Sequence, residues 1–305
     1  MEKYCKTIKY DVRLSDFTTF GIGGLAKAVA FPKSEEEFIS LYTYLKDVGE
    51  RFSVIGLGSN LLISDGGYDG VVITTRCMKD LIKEPEGVTA SCGISLPHLS
   101  RTALFHSLSG AEFMIGIPSS VGGAIRMNAG AFDSCVKDCL ISAKVFNGER
   151  VEEFGVGELG LSYRNSLIPS LGTVLSAKFR FLPANIRDIE SKIEKFRKIR
   201  QETQPNLKSA GCAFKGVGGV SAGYYIDKAG LKGMRIGGAE VSEKHAGFIV
   251  NRGGATARDV AKLMLVVQEK VLEKFGVLLE SEICFLGEYD EDIRRLSHAY
   301  DIQSR

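Results

Sequence analysis

Apolar side chains recur at helical spacing in several parts of the chain. The clearest run begins after Thr256, a helix N-cap candidate, and ends before Gly276, a residue type that often terminates helices. Its apolar positions are three or four residues apart, as on one face of a helix: Val260, Leu263, Met264, Val267 and Val271. The pattern therefore predicts a helix over 257–275, and similar spacing predicts helices over 35–48, 96–108, 186–202 and 222–229.

Short runs rich in β-branched and aromatic residues alternate with these helices and predict strands. They cover 28–31, 53–55, 71–74, 143–146, 174–181, 247–251 and 277–286. Pro183 interrupts the pattern before the charged helix at 186–202, and this break suggests a boundary between domains. The polar tail from Glu288 predicts at most a loose helix.

A glycine-rich stretch, GIPSSVGGAIRMNAGAFD at 116–133, has too much glycine for the interior of a regular element. Free N–H groups in such a stretch can form a concavity that binds anions, although a tight loop between two core elements is the plainer alternative. The cofactor hypothesis gains support from a second stretch of the same kind, IGLGSNLLISDGG at 55–67. This second stretch lies between predicted strands and matches neither the Rossmann fingerprint nor the P-loop.

Composition excludes several classes of function. The formal net charge of +2 over 305 residues gives no electrostatic footprint for nucleic acid. No apolar run has the length of a membrane span, and the N-terminus lacks the apolar core of a signal peptide. We therefore expect a cytoplasmic protein with no nucleic-acid partner, no membrane span and no obligate protein partner.

Seven cysteines are scattered along the chain without a Cys-x-x-Cys pair, and the four histidines lie far apart. This distribution predicts no structural metal site, and the odd number of cysteines suits a reducing compartment. Most of these thiols are expected to be small buried hydrophobic groups.

Three short motifs carry candidate chemistry. Tyr163 and Arg164 in LSYRNS could be ordinary surface residues or a clamp for a carboxylate or phosphate. Cys212 in SAGCAFK, placed in a turn between small neighbours, could be structural or functional. Glu280 and Glu282 in LLESEICFLG share one face of the predicted strand, which could be solvated or could direct a carboxylate into a cleft.

The order of these motifs resembles that of the UDP-N-acetylenolpyruvoylglucosamine reductase family, whose members act in bacterial peptidoglycan precursor synthesis. The resemblance extends from TTFGIGG at 18–24 to LESEICFLG at 279–287. Between them lie, in order, GLGSNLL, GIPSSVGGAIRMNAGAF, YRNS, SAGCAFK and AGLKGMRIGGAEVSEKHAGFIVN. The length and the compact passage from Tyr163 onward resemble the shorter subtype, which lacks an extra tyrosine-bearing loop.

The resemblance implies an α+β fold, with a two-part FAD-binding unit of the vanillyl-alcohol-oxidase (PCMH) type and a C-terminal α/β substrate-binding domain. We assign 1–75 and 76–185 to the two FAD-binding subdomains and 186–305 to the substrate-binding domain. Non-covalent FAD is the implied cofactor, NADPH the co-substrate, and UDP-N-acetylglucosamine enolpyruvate the substrate. A hydride from flavin N5 and a proton would together give UDP-N-acetylmuramate.

Individual roles also follow from the resemblance. Arg164 would bind the enolpyruvyl carboxylate, Glu282 would act with it on an enol-like intermediate, and Cys212 occupies the place of the proton donor. Tyr163 and Lys215 would contact the substrate. The expected FAD contacts lie in the two glycine-rich stretches: Gly56, Gly58, Ser59, Asn60, Leu61, Gly116, Pro118, Ser119, Ser120, Gly122, Gly123, Asn128 and Ala131.

Four positions named here depart from the family pattern. Cys212 replaces the usual serine, but a thiol stays mostly protonated at neutral pH and gives up its proton more readily than an alcohol. Ser119 stands where glycine is common, which predicts a slightly different phosphate loop. Gly216 and Val217 replace a common Asn-Pro, which leaves Lys215 as the better candidate for a substrate contact.

Two alternative functions remain open on the sequence. One is another flavoprotein with the same cofactor fold, such as an oxidase of a small alcohol; such oxidases often tether the flavin through a histidine, and neither glycine-rich stretch contains one. The other is a non-catalytic nucleotide-sugar binder, which the cysteine at 212 would suit.

Overall fold

The computed structural model describes residues 1–85 and 87–297, and the chain divides into two compact units. Unit 1 contains Met1–Ile8, Val29–Leu57 and Val72–Glu202, and unit 2 contains Lys9–Ala28, Gly58–Val71 and Thr203–Arg305. Each unit is therefore assembled from separate pieces of sequence. The three-part division at residues 75 and 185 stays a prediction.

The helices of the described residues all lie in segments with an amphipathic pattern or a local cap. Their bounds are α1 Glu35–Asp47, α2 Leu96–Phe105, α3 Val121–Arg126, α4 Ile168–Leu171, α5 Ile186–Thr203, α6 Ala222–Lys228, α7 Ala257–Phe275 and α8 Glu291–Ser297.

The strands are mostly short. Their bounds are β1 Ile8–Arg13, β2 Leu25–Ala30, β3 Phe52–Ile55, β4 Leu61–Ile63, β5 Tyr68–Thr74, β6 Leu81–Glu84, β7 Gly87–Ser91, β8 Leu108–Ser109, β9 Gly130–Ala131, β10 Ser134–Cys135, β11 Leu140–Phe146, β12 Val151–Gly155, β13 Thr173–Arg180, β14 Leu182–Pro183, β15 Lys208–Cys212, β16 Arg235–Ile236, β17 Ala239–Val241, β18 Phe248–Asn251 and β19 Cys284–Leu286.

Helix α7 shows why local signals predicted the helices well. The Thr256 side chain accepts a hydrogen bond from the backbone N–H of Asp259, and the Asp259 carboxylate accepts one from the N–H of Thr256, each at 3.0 Å. Gly276 ends the helix in the left-handed conformation, with φ of 67°. The predicted helices at 35–48, 96–108, 186–202 and 222–229 are likewise confirmed as α1, α2, α5 and α6 within a few residues.

Some predictions differ from the structure. The predicted strand 277–286 is wrong over most of its length, because only β19 forms a ladder and residue 281 makes an isolated bridge to Phe214. A short helix, α3, begins inside the glycine-rich stretch despite the low helix propensity of glycine. Of the predicted loose helix after Glu288, α8 is observed, and residues 298–305 lie outside the described residues.

Unit 1 contains an antiparallel sheet with the strand order β12–β11–β13–β7–β6. Its buried side chains include Val145, Phe146 and Phe179. A second sheet has the order β1–β2–β5–β3.

Unit 2 is built around an antiparallel sheet with the order β15–β18–β17–β16. The apolar face of α7 belongs to the same core cluster as Val241 and Ile249 of this sheet, so the predicted helix face is the buried one. Strands β4 and β19 form a separate parallel pair. Within the described residues, none of the helices combines the length and apolar character needed to cross a membrane.

Candidate active site

The glycine-rich stretch at 116–133 lies in unit 1 and contains α3. Ser120 is the N-cap, and its hydroxyl accepts a hydrogen bond from the N–H of Gly123 at 3.3 Å. The N–H of Gly122 donates to the carbonyl of Cys92 at 2.9 Å, and a Cβ on Gly122 would lie 3.1 Å from the Cβ of Cys92. Glycine at 122 therefore permits a close approach of two backbone segments.

Most backbone amides of this stretch are used within the protein. The N–H groups of residues 117, 119, 121 and 124 donate to backbone carbonyls, and Pro118 has none. Ser119 turns its hydroxyl to the carbonyl of Ser120 at 3.1 Å, and Gly116 lies against the Arg200 side chain. The stretch thus presents fewer free donors than its composition alone suggested.

The glycine-rich stretches at 55–67 and 116–133 come together within unit 1. A Cβ on Gly56 would collide with the Ser120 hydroxyl, so a larger residue at position 56 would have to displace the Ser120 side chain. The Gly56 carbonyl also accepts a hydrogen bond from the Thr74 hydroxyl at 3.4 Å. Residues 56 and 120, both expected to bind the cofactor, are therefore neighbours.

The same loop continues into unit 2 as Gly58, Ser59, Asn60 and Leu61. Gly58 has φ of 68° and faces the carbonyl of Phe17, which leaves no space for a side chain. Among the residues that the structure describes, no acceptor receives a hydrogen bond from the backbone N–H groups of residues 58 to 60. Ser59 and Asn60 are partly exposed, and successive unpaired amides of this kind suit an anion such as a diphosphate.

The remaining predicted cofactor residues of unit 1 are Asn128 and Ala131. Ala131 belongs to the short strand β9 and pairs with Ser134 of β10. Asn128 is buried, with 6% of its surface exposed, and its side-chain amide is hydrogen-bonded at both ends to backbone groups.

Tyr163 and Arg164 lie in a tight turn of unit 1. Ser162 and Asn165 exchange backbone hydrogen bonds of 3.1 and 3.2 Å across it. Tyr163 is 64% exposed, and the Arg164 guanidinium carbon lies 5.6 Å from the centre of its ring, a cation–π contact. Arg164 has φ of 52°, so the turn holds a non-glycine residue in the left-handed region.

In unit 2, Cys212 and Glu282 lie on neighbouring chain segments. Cys212 ends β15 opposite Phe248, after an irregular register at Gly211, so it lies in a bulged strand end and not in the predicted turn. The N–H of Glu282 donates to the carbonyl of Ala213 at 2.9 Å. Two residues predicted to be catalytic, separated by seventy positions, are thereby held side by side.

Two further predicted residues join this cluster. The Asn60 side chain donates to the carbonyl of Glu282 at 2.9 Å, so the glycine-rich stretch at 55–67 is attached to the segment that contains Glu282. The Lys215 amine forms an ion pair of 3.1 Å with Glu280, and only 16% of the Lys215 side chain is exposed. After Lys215 the chain reverses through Gly218 and Gly219, whose φ angles of 60° and 81° suit a tight hairpin turn.

His245 is a residue of this region that the sequence reasoning missed. Its Nδ1 accepts a hydrogen bond from the N–H of Gly247 at 3.1 Å, and the Gly247 carbonyl accepts the N–H of Ala213 at 2.8 Å. Burial, together with Lys232, lowers the pKa of His245 and favours the neutral ring that this bond requires. The only signal in the sequence was its place in the long motif VSEKHAGF.

Comparison with known proteins defines the class of protein first. A family model described as the FAD binding domain matches residues 26–150, and the C-terminal domain model of UDP-N-acetylenolpyruvoylglucosamine reductase matches residues 203–286. Together with the mixed helices and sheets, these matches confirm an α+β flavoprotein with an FAD-binding unit and a separate C-terminal domain. The chain is an FAD-dependent oxidoreductase.

Full-length relatives then define the family. UDP-N-acetylenolpyruvoylglucosamine reductase of Caldicellulosiruptor bescii is 45% identical over 92% of this chain and 91% of its own length. The enzyme of Latilactobacillus sakei is 41% identical over 93% of this chain and 95% of its own length. The crystal structure of the Thermus caldophilus enzyme is 35% identical, with a TM-score of 0.79 over 92% of this chain and all of that one. The chain belongs to the UDP-N-acetylenolpyruvoylglucosamine reductase family.

Proposed function

We propose that this protein reduces UDP-N-acetylglucosamine enolpyruvate to UDP-N-acetylmuramate, with FAD bound non-covalently and NADPH as the reductant. The observation that carries the proposal is the attachment of the Cys212 segment to the Glu282 segment in unit 2, with Asn60 bound to the same segment. A flavoprotein that only shares the cofactor fold has no need of this cluster, nor does a nucleotide-sugar binder without catalysis.

The residues of the two glycine-rich stretches fit FAD. The unused N–H groups of Gly58, Ser59 and Asn60 suit the diphosphate, and the Ser59 hydroxyl adds a further donor. In unit 1, Gly56 lies against the Ser120 hydroxyl, and the side chain of a larger residue at 56 would collide with that hydroxyl. When bound, FAD supplies the hydride, which it receives from NADPH.

Each proposed catalytic residue acts on the substrate in a defined way. When hydride adds to the terminal methylene carbon of the substrate, negative charge builds up on the enolpyruvyl carboxylate. The Arg164 guanidinium binds this carboxylate and stabilises the charge. Glu282 stabilises the enol-like intermediate. A protonated carboxyl group can do this by donating a hydrogen bond to it. The Cys212 thiol then gives its proton to the neighbouring carbon and recovers one from solvent.

The test is anaerobic NADPH oxidation by the FAD-loaded protein. With UDP-N-acetylglucosamine enolpyruvate, we expect more than one NADPH to be oxidised per bound FAD. One UDP-N-acetylmuramate should form for each NADPH oxidised. UDP-N-acetylglucosamine, which lacks the enolpyruvyl group, is the control and should give no turnover. Equal NADPH oxidation with and without the enolpyruvyl substrate would exclude the proposed reaction.

A further inference from the structure

The turn that carries Arg164 holds this residue in an uncommon conformation. A non-glycine residue with φ of 52° costs on the order of 1 kcal/mol, and such strain persists only where the surroundings fix it. The two backbone hydrogen bonds between Ser162 and Asn165 close the turn but do not attach it to the rest of unit 1. Other contacts must therefore set its orientation.

Two side-chain hydrogen bonds attach the turn to the segment 126–128. The Asn128 Nδ2 donates to the carbonyl of Ser162 at 3.0 Å, at the start of the turn. The Ser166 hydroxyl donates to the carbonyl of Arg126 at 2.7 Å, just after the turn. Both Asn128 and Ser166 are 6% exposed, so water competes weakly for these bonds.

The orientation of the Asn128 amide is fixed by its partners. Its Oδ1 accepts a hydrogen bond from the N–H of Lys137 at 3.0 Å, while Nδ2 faces a carbonyl oxygen. A flipped amide would place two donors together at Lys137 and two acceptors together at Ser162. The side chain is therefore committed to two backbone groups, 9 and 34 positions away in sequence.

We propose that Asn128 is a positioning residue for Arg164, which holds the turn 162–165 in the orientation that catalysis needs. This inference rests on the proposed role of Arg164 in binding the enolpyruvyl carboxylate. It differs from the cofactor contact that the sequence predicted for Asn128, because an FAD contact would affect flavin retention, whereas a positioning role affects only the steps in which Arg164 takes part.

The sharpest variant is Asn128→Asp, which is isosteric, keeps the acceptor for Lys137 and replaces the donor with an oxygen that repels the Ser162 carbonyl. Asn128→Ala, which removes both hydrogen bonds, is the second variant. Asn147→Asp is the matched control, because Asn147 is an exposed turn residue of the same unit. The two half-reactions, flavin reduction by NADPH and reoxidation by the enolpyruvyl substrate, are measured separately by stopped flow.

We expect Asn128→Asp to retain FAD and to be reduced by NADPH within about twofold of the wild-type rate. Reoxidation should fall about 10- to 100-fold, the range expected when a catalytic group is misplaced by about 1 Å. In an Arg164→Ala background the same substitution should change reoxidation less than about twofold, because the group that it positions is already absent. Asn147→Asp should change neither step.

Three results would overturn the inference: loss of FAD from Asn128→Asp, an equal fall in both half-reactions, or full additivity with Arg164→Ala. A crystal structure of the variant gives a readout that does not depend on activity, and an unchanged turn with Arg164 still left-handed would also overturn it. Failure of the proposed function itself is recognised separately, since the wild-type flavin would then not be reoxidised by the substrate.

Discussion

The thiols of this chain differ in how strongly their surroundings oppose ionisation. Burial raises the pKa of Cys92 to about 12, and burial also raises the pKa of Cys5, Cys135 and Cys139. A raised pKa leaves less thiolate at a given pH and slows reaction with alkylating agents. Cys212 is partly exposed at the end of β15.

Replacement of Cys212 tests its role as the proton donor. Cys212→Ala should still be reduced by NADPH but should lose about 10²- to 10⁴-fold in reoxidation by the enolpyruvyl substrate, the usual effect of removing a general acid. Cys212→Ser should retain reoxidation within about tenfold of the wild-type rate, because the hydroxyl is also a proton donor.

Iodoacetamide supplies an independent measurement of the same residue. It should block reoxidation in the wild-type protein but not in Cys212→Ser, and Cys77→Ser is the matched control because Cys77 is also partly exposed. An equal loss of both half-reactions in Cys212→Ala, or inactivation of Cys212→Ser at the wild-type rate, would contradict the assignment.

Residue types alone predicted some of this site and not the rest. Gly58 could be identified because close backbone approach and positive φ require glycine, and both features are observed there. The partners of Asn128 could not be identified, because its amide binds a carbonyl 34 residues away that no local pattern marks. The same holds for Asn60 and the carbonyl of Glu282.

At the scale of elements, helix α5 makes both apolar and polar contacts with residues 112–115 of unit 1. Ile189 and Ile193 pack in a small cluster with Ile115. The Glu112 carboxylate, 6% exposed, accepts hydrogen bonds from the Ser109 hydroxyl at 2.6 Å and the Gly110 N–H at 2.7 Å, and Lys192 of α5 lies 3.8 Å away. The charged form of Glu112 therefore connects α5 to the loop that contains Ser109 and Gly110.

The environment of Glu112 makes the stability of the folded protein depend on pH. Burial alone would raise the pKa of Glu112, but the hydrogen bonds from Ser109 and Gly110, together with Lys192, lower it overall. A lowered folded-state pKa gives stability that is present above the unfolded-state value and is lost as the pH falls through the folded-state value. Glu112→Gln should reduce the free energy of unfolding by about 1–3 kcal/mol at neutral pH and by less in acid.

Urea unfolding at several pH values measures this effect. Glu190→Gln is the control, because Glu190 is exposed on α5, and this variant should show the same pH dependence of stability as the wild-type protein. A destabilisation of Glu112→Gln that is the same at all pH values would show that the charge of Glu112 is unimportant.

Helices were predicted better than strands for a physical reason. The caps and apolar spacing of α7 are contained within the helix and its flanking residues, so the sequence specifies its bounds. Strand β19 instead forms because β4 is available as a parallel partner, and β15 forms because β18 pairs with it. Such partners lie in distant sequence, and periodicity cannot locate them.

At the scale of the whole molecule, cofactor binding should stabilise the native state by mass action. A ligand that binds only the folded protein adds about 2.7 kcal/mol at a hundred times its dissociation constant. Ser59 belongs to the loop proposed to hold the diphosphate, and its side chain is only partly buried. Its hydroxyl should therefore matter more for the FAD-bound state than for the apoprotein.

Thermal unfolding with increasing FAD tests this expectation. The midpoint of the wild-type protein should rise with FAD, and that of Ser59→Ala should start at the same value without FAD but rise less. Ser170→Ala, at an exposed serine of α4, is the control and should follow the wild-type curve. An FAD response of Ser59→Ala equal to that of the wild type would remove Ser59 from the proposed cofactor contacts.

The hydrogen bond from Asn60 to Glu282 joins residues 222 positions apart, and the pairing of β4 with β19 has a similar span. A ribosome therefore releases the Gly58–Asn60 loop long before the segment that holds it has been synthesised. Contacts of such high sequence separation form slowly, and the early segments lack these partners until the later segment has been synthesised. The loop proposed to bind FAD is therefore held in place only after residue 282 has been synthesised, so we expect FAD to bind after these two distant segments have folded together.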